Sequence, residues 1–112
     1  MNSSQHDALK TWYPNDGSVP VEEQLNQAML QLASEAGELV GLWAKSLYKP
    51  GRTLDRDMVI DELGDIWYYV RIIAWLYGIT VDQLSEFNAA KLAGGHGWNG
   101  AEAKVQNRLN GG

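Results

Sequence analysis

Between Pro20 and the Lys49-Pro50-Gly51 stop, Leu25, Met29, Leu32, Ala36, Leu39, Trp43 and Leu47 recur at helical spacing over about six turns. A strand would need alternation of period two, so this stretch commits the chain to one long amphipathic helix whose apolar stripe must be covered. Pro20 suits the first helical position, and Glu22 and Glu23 suit the first turn, where negative charge meets the positive helix end. A second helix is expected from an Asp55 cap through Val59, Leu63, Ile66, Val70 and Ile73 to Gly78. A third begins at Thr80 and Gln83, a capping-box pair flanked by Ile79 and Leu84 at the staple positions, and ends near Gly94-Gly95. Ser3 to Tyr13 reads as a short opening helix before the turn residues Pro14 to Ser18.

With no strand-like alternation, the expected fold is all-α. It is an antiparallel helical bundle of two long core helices and a third shorter one, in a single domain over 1–112 with its core at about 20–94. The Gly- and Asn-containing segment 95–112 reads as an irregular or mobile tail. Helix two is apolar around much of its circumference: Ile60, Trp67, Tyr68, Ile72 and Leu76 lie outside its main stripe. One small subunit can hardly cover that surface, so a homodimer or homotetramer is expected.

The net charge of −5 argues against a nucleic-acid binder, whose affinity rests on many Lys and Arg contacts to phosphate. An acidic protein can still hold a polyphosphate where a bound divalent cation reverses the local field. The absence of cysteine excludes disulfides, thiolate zinc sites and a cysteine nucleophile, and fits a reducing cytoplasm. Met1 to Lys10 carries no apolar leader and no apolar run reaches membrane-spanning length, so neither secretion by this signal nor membrane insertion is expected.

The chemistry sits in two matched acid pairs. Glu35-Ala36-Gly37-Glu38 places two carboxylates on neighbouring turns of one helix face, and Glu62-Leu63-Gly64-Asp65 repeats the device on the next helix. At roughly 100° per residue, both apolar stripes lie on the same flank of their acids. Antiparallel packing of the stripes would bring the four carboxylates together. Like charges about 4 Å apart repel by about 4 kcal/mol at an effective dielectric near 20, so such a cluster calls for a cation. All-oxygen ligands favour magnesium over zinc, with manganese able to substitute. Glycine within a helix costs about 1 kcal/mol relative to alanine, and close helix approach is a sufficient reason for Gly37 and Gly64. Lys45 and Lys49 fall on the acid side of the first long helix, where they would reach phosphate oxygens or simply be solvated. Tyr69, one turn after Asp65, would line the pocket or join the core. Trp12 and Trp98 suit packing better than base stacking, and His6 and His96 suit the surface.

The segments Leu32-Ala33-Ser34-Glu35-Ala36-Gly37-Glu38-Leu39, Asp61-Glu62-Leu63-Gly64-Asp65-Ile66, Gly78-Ile79 and Phe87-Asn88-Ala89-Ala90-Lys91-Leu92 together resemble the MazG-like branch of the all-α nucleotide pyrophosphohydrolases over about residues 25–93. The resemblance implies magnesium-dependent hydrolysis of (deoxy)nucleoside triphosphates to monophosphate and pyrophosphate, a house-cleaning activity on the nucleotide pool. It implies Glu35, Glu38, Glu62 and Asp65 as metal ligands and catalytic residues, and Asn88 and Lys91 as contacts to substrate phosphate or sugar. Relatives often continue with basic residues after that last segment, whereas this chain has Ala93-Gly94-Gly95-His96-Gly97, leaving Arg52, Lys45, Lys49 or His96 as substitutes. Two rival readings stand beside it: a phosphoribosyl-ATP pyrophosphohydrolase, and a non-catalytic helical module that binds metal or a basic partner through the same acids.

Overall fold

A computed structural model describes residues 3–12, 16–51 and 53–94, whose regular elements are all helical, with no strand among them. The elements are α1 (Ser3–Leu9), α2 (Val21–Tyr48), α3 (Arg56–Leu76) and α4 (Val81–Gly94). No helix among these residues is long and apolar enough to cross a membrane. The expected tail 95–112, with His96 and Trp98, lies outside the described residues, as does Arg52.

The helix ends follow from local chemistry. Asp55 caps α3 by accepting the Met58 N–H at 2.9 Å. At the other end Gly78, at φ 71°, turns the chain while its N–H reaches the Trp75 carbonyl and the Ile79 N–H reaches that of Ala74. That double bond is the Schellman closure, which needs a left-handed residue that glycine supplies without steric cost. Thr80 and Gln83 form the reciprocal capping box: Gln83 N–H donates to Thr80 Oγ1 at 3.1 Å and Thr80 N–H to Gln83 Oε1 at 2.8 Å. Two boundaries differ from expectation. Pro20 caps α2 from outside, in extended geometry (ψ 149°), and its carbonyl accepts the Gln24 N–H. The opening helix stops at Leu9, because the N–H groups of Lys10, Thr11 and Trp12 bond three residues back and tighten the chain into turns.

α2 and α3 pack as the main pair, and α1 lies against α3. The pair runs antiparallel, since Met29 and Leu32 share a groove with Val70, Ile73 and Ala74, while Leu39 and Trp43 share one with Val59. Ala8, Trp12, Ala28 and Ile72 form the buried core where α1, α2 and α3 meet, with Tyr68, Tyr69, Ile73 and Leu76 packed partly around it. α1 thus covers one side of the apolar circumference of α3, including Ile72, but leaves Ile60 and Trp67 exposed.

Polar residues fasten α1. Buried Gln5 donates to the Ile79 carbonyl at 2.7 Å, joining α1 to the α3–α4 corner. Arg71 Nη1 donates to the Ser4 carbonyl at 3.0 Å. The Trp12 indole N–H donates to buried Gln24 at 2.9 Å, and Gln24 in turn donates to the Val19 carbonyl, so Trp12 is a core residue as its size suggested.

Among the described residues, nothing makes a close approach at Gly37 or Gly64. A Cβ built at either position, or at Gly41, meets nothing within 4 Å.

Candidate metal centre

Carboxylate oxygens of Glu35, Glu62 and Asp65 lie within 4.8 Å of one another. Glu35 comes from the middle of α2, and Glu62 and Asp65 come from the first half of α3. The antiparallel crossing brings these two stretches side by side. Glu35 and Glu62 are half-buried between the helices and Asp65 is exposed at the rim. Oε2 of Glu35 and Oε2 of Glu62 are both buried, with no hydrogen-bond partner among the described residues. A buried acceptor left unsatisfied costs about 1–3 kcal/mol, more when charged, so these oxygens call for a donor or a cation that the described residues do not supply.

The electrostatics say the same. Loss of water, then the neighbouring Glu38 carboxyl, then the charge of Asp65 push the Glu35 carboxyl up to about 7 from its usual 4.5. Glu62 is also raised, first by loss of water and then by the charges of Glu38, Asp61 and Asp65, with a hydrogen bond from Glu35 opposing the shift. Glu38 is therefore a neighbour of the cluster, but it is exposed and stands outside the three whose oxygens converge. A hard divalent cation fits this donor set: three carboxylates, two carrying unpartnered buried oxygens, with an exposed edge where water and phosphate oxygens can complete the coordination.

Tyr69 stands beside the acids. Burial raises its phenol, and the charges of Tyr68, Glu35 and Asp65 add to the shift. Its ring is held edge-on by Trp12 at 6.4 Å and by Tyr68 at 5.0 Å, and the Tyr68 hydroxyl accepts from Thr11. The part of this support that Trp12 gives was not legible in either long helix, because the turn after α1 brings Trp12 to Tyr69 only once α1 has docked.

The expected phosphate contacts are not gathered at the acids in the same way. Lys45 and Lys49 are exposed and lie about 15 and 21 Å along α2 from Glu35 at 1.5 Å per residue. Asn88, exposed, and Lys91, half-buried, ride on α4, which makes little contact with the α2–α3 pair. No family model, curated protein or solved structure matches the chain.

Proposed function

We propose that this protein is a magnesium-dependent nucleoside triphosphate pyrophosphohydrolase, with manganese able to replace magnesium. The observation that carries the reading is the convergence of Glu35, Glu62 and Asp65 with two buried, unpartnered carboxylate oxygens. The E-x-x-E and E-x-x-D spacing, which resembles the MazG-like pyrophosphohydrolases, supplies the substrate class. Glu35, Glu62 and Asp65 would hold the cation, which when bound supplies the positive charge that phosphate oxygens need in an acidic site. Glu38, exposed beside Glu35, would be the glutamate that takes a proton from the attacking water. The water oxygen bonds to the α-phosphorus, the bond from that phosphorus to the bridging oxygen breaks, and pyrophosphate leaves with the electron pair. The half-buried phenol of Tyr69 would orient the nucleotide, and Asn88, Lys91, Lys45 and Lys49, which stand away from the acids, would meet phosphate or sugar groups that extend beyond the metal.

The test is pyrophosphate release from a panel of ribo- and deoxyribonucleoside triphosphates, in magnesium and in chelator, with the nucleotide product identified. Magnesium-dependent release of pyrophosphate with a monophosphate supports the reading. Release from phosphoribosyl-ATP alone would transfer it to that rival. Magnesium binding with no release from any substrate would leave a metal-binding interaction module.

A further inference from the structure

The flank of the α2–α3 pair on which the acids open is closed at one end. Taking Glu35 and Glu62 as zero on their helices and roughly 100° per residue, Glu38 and Asp65 fall near −60°, Ala28 on α2 falls at about +20°, and Tyr69 and Ile72 on α3 fall at about −20° and −80°. The patch on which Trp12 packs, Ala28 with Ile72, is therefore on the acid flank. It lies about 10 Å further along each helix, seven residues from Glu35 on α2 and seven from Asp65 on α3 at 1.5 Å per residue. Between the patch and the acids stands Tyr69, one turn beyond Asp65. A helical side chain leans towards the N-terminus of its helix, so the Tyr69 ring leans towards Asp65, and the charges of Glu35 and Asp65 reach its phenol. A tyrosine on a helix has two common χ1 settings, and here contacts make the choice. Trp12 meets the ring edge-on at 6.4 Å and 81°, and Tyr68 meets it at 5.0 Å and 85°. Both clamps return to the turn after α1. Trp12 is 6% exposed and donates its indole N–H to Gln24, itself 4% exposed and tied to the Val19 carbonyl, while the Tyr68 hydroxyl accepts from the Thr11 hydroxyl at 3.0 Å.

We propose that Trp12 is a positioning residue of the acid site. Anchored through Gln24, it fixes the ring of Tyr69 at the closed end of the flank, and that ring fixes the nucleoside end of the substrate beside the acids. The other end of the flank runs out along α2 to exposed Lys45, at about −80° by the same projection. The aromatic end therefore suits a base, and the basic end suits the leaving phosphates. The step from Tyr69 to the substrate rests on the nucleotide reading, whereas the step from Trp12 to Tyr69 stands on the ring geometry alone. A contact that orients substrate and transition state alike acts on KM and leaves kcat where it is. A Trp12 that only filled the core would cost stability and leave the Tyr69 ring and the KM of the folded protein unchanged.

The full-length protein, with fluorotyrosine at its five tyrosines, would be followed by fluorine NMR, the Tyr69 signal being the one missing from Tyr69→Phe. Steady-state kinetics on nucleoside triphosphates in magnesium would run beside it. Trp12→Leu removes the edge contact, and Gln24→Met keeps every ring and removes only the anchor of the indole. The expected result is a Tyr69 ring held still in the wild type, with separate signals for its flip states. In Trp12→Leu these merge into a single signal, with KM about tenfold higher and kcat within about twofold. Gln24→Met should broaden the same signals and raise KM by about threefold, and it decides the outcome if Trp12→Leu does not fold. Tyr69 signals unchanged in the folded variants overturn the inference, and so do merged signals with an unchanged KM. Absence of turnover by the wild-type protein would overturn the nucleotide reading and this inference together, whereas the first two failures leave that reading standing.

Discussion

Replacing Glu35 by Gln should make the metal-free protein more stable. At 4.8 Å two unit charges repel by about 1 kcal/mol at the dielectric of water and about 3.5 kcal/mol at 20. The site is open at its rim, so the lower figure governs, and Glu35 belongs to two such pairs, with Glu62 and Asp65. Neutralising it should therefore gain about 1–2 kcal/mol, or roughly 5–10 °C in Tm for a domain of this size. The sign depends on pH. The folded carboxyl titrates near 7 and the free one near 4.5, so the folded state holds the proton more tightly. Wild-type stability is then lost as pH rises from about 4.5 through 7, and the loss is complete above 7. The advantage of Glu35→Gln should be full at pH 8 and absent below about pH 4.5. Magnesium should reverse the order, because a ligand at 100 times its Kd adds about 2.7 kcal/mol to the protein that binds it. Thermal melts at equal protein concentration, at pH 4.5 and 8 and in chelator and magnesium, provide the assay. A variant melting at or below wild type in chelator at pH 8 would refute the argument that these carboxylates repel one another unaided.

Further outcomes follow from the same geometry. Asp65→Ala and Glu38→Ala should each abolish turnover while circular dichroism stays helical, but Asp65→Ala should also remove magnesium-induced thermal stabilisation, whereas Glu38→Ala should retain much of it; calorimetric titration with magnesium separates the two. Gly41→Ala should raise stability by about 0.5–1 kcal/mol in urea denaturation, since the added methyl meets open space and glycine is a poor helix former; a loss would mean that something packs there. Thr80→Ala should cost about 1 kcal/mol in the same assay by removing the cap at the start of α4.

Helix termini were the most legible part of this fold. Asp55, Gly78 and the Thr80–Gln83 pair each bond to backbone within a few residues, so their chemistry is complete in a short stretch of sequence. The acid pairs were legible as faces and as a converging cluster, but not which of the four acids would close it. Glu38 and Asp65 hold equivalent places on their helices, yet only Asp65 closes on Glu35 and Glu62. That selection depends on the axial offset of α2 against α3, which no single-helix projection contains. The docking of α1 was hidden for a related reason. Its fasteners are Gln5 and Arg71, residue types that usually sit in water, and their partners lie far away in sequence. The glycines mislead in the opposite direction, because their presence suggested crowding that is not found among the described residues.

The bond from Gln5 to the Ile79 carbonyl fixes the corner at which α4 leaves α3. α4 has 14 residues, about 21 Å of rigid rod at 1.5 Å per residue, with Asn88 and Lys91 in its outer half. A tilt of roughly 10° at the corner would move the far end by about 4 Å, more than the length of a hydrogen bond. The aim of those two side chains therefore depends in part on one amide of α1, which braces from outside a corner that the Gly78 turn and the Thr80–Gln83 box already shape, as a stay braces a mast.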